Sequence, residues 1–386
     1  MSKLEELIQE FCPNGVPVKT LGEVENQGIL TLGRGKVISK DELRNCPGDY
    51  PVYSSSANGD GEIGRYGKYM FDDERITWSI DGGGKLFYRN AARYSVTNVG
   101  GWIKVNSTAL NTKFLYYTLI NQWTKMKFDY TKKAHPSVIR DIYNIYLPPL
   151  AVQQEIVRIL DNFTELTAEL TAELTAQRKQ YEHYRDALLT FGNDIVWTQL
   201  KNIVTFKNGK GHEREIVENG PFIVVNSKFI SSDGLVKKYS EKQIVPLVKN
   251  DILMVMSDLP NGKALAKCFV VDADNTYTLN QRICALHVKD TVQVNTSFLY
   301  YFLNRNKQLL KRDNGVDQTN LKKDDILEAL VPLLPLSQQM SIVSILNGFF
   351  ALCTDLTSGL PAEITARQKQ YEYYRDKLLT FKELER

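Results

Sequence analysis

The chain has 386 residues, of which 43% are hydrophobic and 10% aromatic, a composition that fits two folded domains and excludes a disordered chain. Its five cysteines are scattered without a Cys-x-x-Cys pair, and its first residues, MSKLEELIQEF, are charged, so we expect a cytoplasmic protein rather than a secreted, disulfide-linked one. No apolar run is expected to approach the roughly 20 residues that span a bilayer, which argues against a membrane role.

Positive charge is concentrated in two large segments, residues 1–150 and 192–335. Each holds 19 Lys and Arg against 16 Asp and Glu. Residues 151–191 hold 4 against 7, and residues 336–386 hold 6 against 6. The net charge of +3 alone neither favours nor excludes a nucleic-acid partner, but its distribution predicts two basic domains.

Residues 1–147 are predicted to form an N-terminal helix and a first globular domain. Segments rich in β-branched and aromatic residues, such as 76–80, 86–88 and 101–105, are separated by turn-forming residues and predict strands. A helix is predicted over residues 112–126. We therefore expect a mixed α/β domain.

A long helix is predicted over residues 148–192, beginning at Pro148-Pro149. Steps of three and four residues predict a coiled-coil seam of Leu160, Phe163, Leu170, Leu174, Tyr181, Tyr184, Leu188 and Phe191, with Thr167 and Gln177 in the gaps. About 40 residues at about 1.5 Å each give a rod of roughly 60 Å. A core helix inside one globule is the alternative, which the narrow seam disfavours.

The same order then returns, with a second mixed domain predicted over residues 193–334 and a second long helix over residues 335–386. The clearest elements of the second domain are predicted strands at 222–225 and 252–256 and a helix at 296–310. Gly359 and Pro361 are expected to kink or interrupt the second long helix.

An internal repeat explains this order. Residues 179–191 read KQYEHYRDALLTF and residues 369–381 read KQYEYYRDKLLTF, identical at 11 of 13 positions. Shorter matches precede them, so the chain is a tandem duplication of about 190 residues. We predict an α+β fold in which two mixed α/β domains, related by a pseudo-twofold axis, are separated by two long antiparallel coiled-coil helices.

The two domains are predicted to share one framework but to differ in their loops. This predicts two different recognition surfaces. Arg and Lys bind phosphates or guanine, and Asn and Gln pair with adenine, so these loops suit DNA. The candidate DNA-binding residues of the first domain are Arg34, Lys36, Ser55, Asn58, Arg65, Lys68, Lys85, Lys132, Lys133 and His135. Those of the second domain are Lys207, Lys210, His212, Asn226, Lys228, Asn261, Lys263, Gln281, Arg282, Gln318 and Asn320. Ordinary solvated loops have a similar composition, so only the two basic domains together favour DNA.

The sequence shows no catalytic or metal-binding pattern beside these loops. P-loop spacing and the Asn/Asp-Pro-Pro-aromatic motif of amino-methyltransferases are missing, and the four histidines are isolated from one another and from the cysteines. Acidic pairs such as Asp72-Asp73 lack an accompanying Glu-x-Lys and are expected in solvated turns. We therefore predict no catalytic residue, no metal and no cofactor in this chain.

This order of domain, Pro-Leu junction and long helix ending Tyr-x-x-Tyr-Arg-Asp-x-Leu-Leu-Thr-Phe, all of it twice, resembles the specificity subunits of type I restriction-modification systems over essentially the whole chain. The family's glutamine after the junction is matched by Gln153-Gln154 and Gln338-Gln339. The resemblance implies a non-catalytic DNA-binding subunit whose two target recognition domains each read one half of an asymmetric split sequence.

The resemblance also implies partners. Members of the family bind two modification subunits, which use S-adenosylmethionine, and restriction subunits, which use ATP and Mg²⁺. The outer faces of the long helices are the predicted docking surfaces, around Gln153, Arg158, Arg185, Gln339 and Arg375.

Residues 164–174, TELTAELTAEL, resemble the tetrapeptide repeats of one subclass of that family. One four-residue unit changes the length of a helix by about 6 Å and turns it by about 40°, whereas one base pair rises about 3.4 Å. Repeat number is therefore expected to set the spacer between the two DNA half-sites.

Two alternatives stay open at this point. A nuclease or methyltransferase with fused recognition domains predicts turnover by the chain alone. A coiled-coil adaptor between proteins predicts no salt-dependent, sequence-selective DNA affinity.

Overall fold

The computed structural model describes residues 2–55, 59–81, 85–106, 108–126, 128, 131–192, 194–259, 262–311, 313, 316–354 and 359–384. The chain divides into two compact units. Unit 1 contains Met1–Ala172 and Glu363–Arg386, and unit 2 contains Glu173–Ala362. Each unit combines one mixed domain with part of the long helices.

The first domain contains the helices α1 (Lys3–Phe11), α2 (Leu21–Asn26), α3 (Lys40–Asn45), α4 (Thr112–Trp123) and α5 (Pro136–Ile142), and the long helix α6 (Leu150–Leu188) follows it. Its strands are β1 (Val18–Thr20), β2 (Leu30–Arg34), β3 (Tyr50–Tyr53), β4 (Glu62–Tyr66), β5 (Arg75–Ser79), β6 (Leu86–Arg89), β7 (Ser95–Val96), β8 (Gly100–Val105) and β9 (Asn144–Tyr146). Ser2, Thr20 and Ser39 begin α1, α2 and α3 with capping boxes, in which each hydroxyl accepts the N–H of a glutamate three residues later.

The second domain contains the helices α7 (Leu200–Ile203), α8 (Ser227–Ser231), α9 (Thr296–Leu303), α10 (Lys307–Leu310) and α11 (Lys323–Leu327). Its strands are β10 (Val196–Gln199), β11 (Val204–Asn208), β12 (Ile216–Val217), β13 (Phe222–Val225), β14 (Tyr239–Ser240), β15 (Ile252–Val255), β16 (Ser257–Asp258), β17 (Cys268–Val270), β18 (Tyr277–Leu279), β19 (Ile283–Val288), β20 (Thr319–Asn320) and β21 (Leu330–Leu333). The helices α12 (Leu336–Thr354) and α13 (Leu360–Leu378) complete the chain.

The main sheet has the same strand order in both domains, β2-β8-β5-β6 in the first and β11-β19-β15-β17 in the second, and all neighbours are antiparallel. The registers also agree, because Leu32 faces Ile103 as Phe206 faces Leu286. In a smaller sheet, the parallel pair of β3 and β7 corresponds to that of β13 and β18. The duplication thus extends through domains whose loops no longer match.

Each main sheet buries apolar side chains against the helix that follows it. Ile76 and Ile103 pack in one cluster with Leu115 of α4, and all three are fully buried. In the second domain, Ile252 packs in one cluster with Leu299 of α9. Burial of such side chains is the main stabilising contribution to each domain.

The helices predicted after the main sheets begin at equivalent caps. Asn111 Oδ1 accepts the N–H of Phe114 at 3.0 Å, and Asn295 Oδ1 accepts that of Phe298 at 3.1 Å. The helix predicted over residues 296–310 is divided into α9 and α10, because Arg305 between them has a left-handed φ of 60°.

The first long helix, α6, is unbroken over 39 residues, whereas the second is divided into α12 and α13. The interruption predicted from Gly359 and Pro361 is confirmed, since α13 begins between them at Leu360. The predicted seam of α6 is also confirmed by partly buried residues at steps of four and three, with exposed residues between them: Phe163, Thr167, Leu170, Leu174, Gln177 and Tyr181.

The long helices pack antiparallel within unit 1. Tyr146, just before α6, contacts Phe381, just after α13, with ring centroids 5.5 Å apart. Further along α6, Phe163 stacks on Tyr374 of α13 at 5.4 Å. As the residue number increases along α6, the number of the residue contacted near or on α13 decreases, as the prediction of antiparallel pairing requires.

Unit 2 repeats one of these contacts. Tyr184 of α6 stacks on Phe349 of α12, with ring centroids 5.3 Å apart and an interplanar angle of 24°. Phe163 and Phe349 are equivalent in the repeat, as are Tyr184 and Tyr374, whose stack in unit 1 has an angle of 22°. One aromatic contact is thus made twice with exchanged helices.

Gln153 of α6 and Gln339 of α12 join each long helix to its own domain. Their Oε1 atoms accept the N–H of Asn111 at 2.8 Å and of Asn295 at 2.7 Å, respectively. Each Nε2 donates to two backbone carbonyls, at 2.7 and 2.9 Å for Gln153 and at 2.8 and 3.1 Å for Gln339. Both side chains are fully buried.

In the described part of the chain, α12 is the one helix long and apolar enough to cross a membrane by length and composition. The expectation that no such run exists was wrong here, since the 19 residues of α12 include no Asp, Glu, Lys or Arg. Leu346 and Cys353 are nonetheless buried in unit 2, and Gln339 is hydrogen-bonded there. Three of the 19 residues of α12 are buried, at steps of seven, so the helix packs within unit 2 along one side.

Candidate nucleic-acid interface

Strand direction brings one set of loops together in the first domain. Because neighbouring strands of the main sheet are antiparallel, the ends of β2 and β5 lie at the same edge as the starts of β8 and β6. We call this edge, marked by Arg34, Ser79, Gly100 and Leu86, the first loop edge.

Polar contacts tie the loops of the first loop edge together. Ser55 Oγ lies 2.6 Å from Ser79 Oγ and donates to the carbonyl of Val99 at 2.8 Å. Lys133 forms an ion pair with Asp81, just beyond β5, at 2.9 Å. The loops after β3, after β5 and before α5 therefore form one polar surface.

Of the nine first-domain candidates that the structure describes, seven lie at this edge and two do not. Those at the edge are Arg34, Lys36, Ser55, Lys85, Lys132, Lys133 and His135. Arg65 and Lys68 lie at the opposite end of the β3–β4 hairpin, because Tyr66 at the end of β4 pairs with Tyr50 at the start of β3. Asn58 lies outside the described residues.

The second loop edge carries different side chains on the same frame, at the ends of β11 and β15 and the starts of β19 and β17. Gln318 Nε2 donates to Ser257 Oγ at 2.7 Å, and Gln281 Nε2 donates to the carboxylate of Glu213 at 2.7 Å. The candidates at or beside this edge are Lys207, Lys210, Asn226, Lys228, Lys263, Gln281, Arg282, Gln318 and Asn320. Asn261 lies outside the described residues.

His212 is a candidate that the structure corrects. It is 1% exposed, with Nδ1 2.7 Å from the carbonyl of Lys210 and Nε2 2.7 Å from Thr278 Oγ1. Both ring nitrogens thus have partners inside the domain, so His212 holds the loop after β11 in place rather than facing DNA. Among the described residues, no group of three or more His, Cys, Asp or Glu side chains is placed to hold a metal ion.

Two of the five predicted partner-binding residues are also corrected. Gln153 and Gln339 are fully buried and their amides are hydrogen-bonded within their own units, so they do not belong to an outer docking surface. Arg158 is exposed and pairs with a glutamate on its own helix at 2.7 Å. Arg185 and Arg375 each pair with the aspartate that follows, at 2.7 and 2.8 Å. Docking by these three arginines stays a prediction.

A charge cluster on unit 1 was not anticipated from the sequence. Lys3 of α1 lies 3.2 Å from Glu155 of α6, whose side chain is 4% exposed. The Arg158 guanidinium, together with Lys3, lowers the pKa of Glu155 to about 2. The cluster therefore fastens α1 to the start of α6.

Sequence reasoning also missed Lys267 at the second loop edge. The carbonyl of Lys267 accepts the N–H of Val255 at 3.0 Å, as that of Lys85 accepts the N–H of Ser79 at 3.1 Å. Lys267 and Lys85 are therefore equivalent in the two domains. Their alignment is hidden in the sequence because the surrounding loops differ in length and composition.

A family model described as the type I restriction modification DNA specificity domain matches the chain twice, over residues 18–180 and 192–366. Each match covers one mixed domain and much of the long helix after it. The internal repeat is thus a repeat of this domain.

Curated relatives carry the same description. The chain is 30% identical over 412 residues to a putative type I restriction enzyme specificity subunit of Haemophilus influenzae, with 98% of both chains covered. It is 27% identical to a putative type I specificity subunit of Mycoplasma pneumoniae, covering 91% of this chain and 95% of the relative. It is 34% identical to the EcoR124I/EcoR124II specificity subunit of Escherichia coli, covering 60% of each.

Two solved structures share the fold. The S subunit of a type I restriction-modification system from M. genitalium aligns with a TM-score of 0.54 at 17% identity over 94% of each chain. A chain from a study of complex assembly and conformational transition in a type I system aligns with a TM-score of 0.58 at 15% identity, covering 95% of this chain and 98% of that one. The predicted fold class, with two mixed domains and long helices, is thereby confirmed.

The relatives described above are named specificity subunits, and none of them supports a fused enzyme or a DNA-independent adaptor. The family domain accounts for most of the chain, and the Haemophilus influenzae relative is covered almost from end to end. The chain therefore belongs to the type I restriction-modification specificity subunits, non-catalytic DNA-binding proteins that assemble with other subunits into restriction-modification complexes.

Proposed function

We propose that this subunit reads an asymmetric bipartite DNA sequence, one half at each loop edge, and that the long helices set the unread spacer. The observation that carries this proposal is the pair of loop edges on one frame. The strand order and register are the same, yet Arg34 at the end of β2 corresponds to Asn208 at the end of β11, and Thr97 beside the first edge corresponds to Asn280 beside the second. Different polar side chains at equivalent places suit two different base sequences.

The helix α6 is the proposed ruler, of the tetrapeptide-repeat subclass. It runs unbroken from unit 1 into unit 2, and the boundary between the units, after Ala172, falls inside the repeated segment 164–174. Thr167 and Thr171 hydroxyls donate to carbonyls four residues earlier, at 2.8 and 2.7 Å, so each repeat is satisfied within its own helix. Another unit would therefore lengthen the helix by about 6 Å and turn it by about 40°.

For partners, we propose two modification subunits that use S-adenosylmethionine and restriction subunits that use ATP and Mg²⁺, all acting in the cytoplasm. The aromatic contact between the long helices is made once in each unit, so each unit offers an equivalent surface. This supports two modification subunits. Arg185 in unit 2 and Arg375 in unit 1 are repeat equivalents and make the same pair with a following aspartate. The cofactors belong to the partner subunits in this proposal.

The test is methylome sequencing of a host that carries this subunit and its modification partner. Wild type is expected to give a bipartite methylated motif with two different halves. Insertion of one Thr-Ala-Glu-Leu unit after Leu174 is expected to lengthen only the gap, by about one or two base pairs at about 3.4 Å each.

The matched control is the double variant Thr167→Ala with Thr171→Ala, which changes the composition of the repeated segment and keeps its length. Its motif should equal that of wild type, since the helix neither grows nor turns. An insertion that leaves the gap unchanged, or one that alters a half-site, would contradict the ruler. A wild-type motif without a gap would contradict bipartite reading itself.

A further inference from the structure

The two loop edges share one Gly-Lys pair in the same backbone setting, Gly35-Lys36 and Gly209-Lys210. The glycine N–H donates to the first residue of β8 in one domain and of β19 in the other, both at 3.0 Å. The lysine N–H donates to the last residue of β7 or β18, at 3.0 and 3.1 Å. Each pair therefore bridges the main sheet and the smaller sheet of its domain.

The glycine is required by close packing at both positions. A Cβ at Gly35 would lie 2.0 Å from the carbonyl oxygen of Val96, and a Cβ at Gly209 would lie 1.8 Å from that of Asn280. No side chain fits at either place. The lysine that follows thus starts from a backbone fixed on both sides.

The surroundings of the two lysines differ in sequence. The residue before the Gly-Lys pair is Arg34 in the first domain and Asn208 in the second. The residue bridged to the lysine is Thr97 in the first and Asn280 in the second. The Gly-Lys pair is thus retained within edges that otherwise diverge.

Both lysines are also available for a ligand. Lys36 and Lys210 are exposed, and neither ammonium group bonds to any residue that the structure describes. Lys85 and Lys267 are equivalent to each other too, but Lys267 pairs with Asp233 at 2.8 Å and donates to the carbonyl of Ser231. The matched, unpaired cations of the two edges are therefore Lys36 and Lys210.

Residues that read two different base sequences must themselves differ, whereas residues that bind what both halves share can be the same. The feature common to any two DNA half-sites is the phosphate backbone. We propose that Lys36 and Lys210 bind phosphates at equivalent places in the two half-sites, and so position each recognition domain without reading a base. The proposal rests on the DNA-reading function proposed above.

The test uses the complex of the full chain with its modification partner, in variants Lys36→Ala, Lys210→Ala and both. DNA affinity is measured against salt concentration with cognate and scrambled duplexes, and the methylated motif is sequenced. Each alanine should make the negative slope of log affinity against log salt shallower by about 1. It should also weaken binding to the cognate and the scrambled duplex alike, by about fivefold at 0.15 M salt. In the double variant the slope should become shallower by about 2, and the methylated motif should stay unchanged.

Two lysines at the far ends of the main sheets serve as matched controls: Lys19 of β1, which donates to Gln27 just before β2 at 2.8 Å, and the exposed Lys249 before β15. Their alanine variants should retain the wild-type slope. Lys36→Arg and Lys210→Arg should restore it, because they retain the charge. Thermal unfolding of every variant should match wild type, which separates lost contacts from lost folding.

Three results would overturn the inference: an unchanged slope in the double variant, an equal loss in the controls, or a changed base preference in one half-site. The last would make the lysine a base-reading residue. If the wild-type complex methylates no bipartite motif, the proposed function fails instead, and that outcome is seen before any variant is made.

Discussion

The start of α6 in unit 1 and the start of α12 in unit 2 are copies of one element, and they differ on one side only. Gln153 and Leu160 of α6 are fully buried, as are their equivalents Gln339 and Leu346 of α12. Glu155, however, is buried, whereas its equivalent Ser341 is exposed. The side that faces its own domain is retained, and the other side has diverged.

The helix α1 accounts for the difference. It packs on unit 1 through Leu4, which is buried in the same cluster as Val152 and Ile156, and Lys3 pairs with Glu155. In the described part of the chain, α6 itself precedes the second domain, so α12 has no counterpart of α1 there. Contacts that hold a helix to its domain are therefore duplicated, whereas the other side carries charges in one copy, Glu155 and Arg158, and serines in the other, Ser341 and Ser344.

Removal of the buried amides would test the duplicated contacts, with the largest expected effect. Gln153→Met and Gln339→Met retain the volume but leave one N–H and two carbonyls without partners in each case. Each should lower the free energy of unfolding by about 2–4 kcal/mol, since a buried unpaired polar group costs about 1–3 kcal/mol. Urea unfolding followed by far-UV circular dichroism measures this cost. A large loss at one position and none at the other would show that the equivalence is geometric but not energetic.

The exchanged aromatic stacks should give a smaller and equal effect. Double-mutant cycles of Phe163→Ala with Tyr374→Ala, and of Phe349→Ala with Tyr184→Ala, should each yield a coupling energy of about 1 kcal/mol. The two ring geometries are nearly identical, with centroids 5.4 and 5.3 Å apart. Coupling in only one cycle would contradict an equal role for the two stacks.

The side that differs should give an effect that depends on pH. The pKa of Glu155 is lowered to about 2 from an ordinary value near 4.5, so its stabilisation is present above pH 4.5 and is lost as the pH falls towards 2. The stability difference between wild type and Glu155→Gln should be constant above pH 5 and shrink below it. Chemical denaturation across that range measures the difference, and other carboxylates cancel in the comparison. A difference that is independent of pH would show that the pair with Arg158 and Lys3 contributes nothing.

Much of the fold could be predicted from sequence because it is repetitive or locally encoded. The seam of α6 follows from its steps of four and three residues, and the break before α13 follows from Gly359 and Pro361. The equivalence of β2 and β11 could not be predicted, since LTLGR and VTFKN share one residue. It rests on strand pairing between residues far apart in the chain, which leaves no local periodicity to detect.

The candidate site was predicted unevenly for a similar reason. Residue type identified Arg34 and Lys210, which lie at the loop edges, but it also selected His212 and Gln153, which are buried and hydrogen-bonded. A polar side chain beside turn-forming residues has the same signature whether it faces solvent or satisfies a backbone group. Only its partners in the folded chain distinguish the two cases.

The unbroken seam of α6 limits how its length can change. The spacing from Phe163 through Thr167, Leu170 and Leu174 to Gln177 keeps the alternation of four and three, so the present number of units is in phase with the heptad. An added unit of four residues is a stutter, which a coiled coil absorbs by local unwinding. Two added units exceed one heptad by a single residue and would turn the apolar stripe by about 80° away from its partner, twice the turn of one unit. One added unit is thus compatible with the existing pairing of the long helices, whereas that pairing opposes two added units.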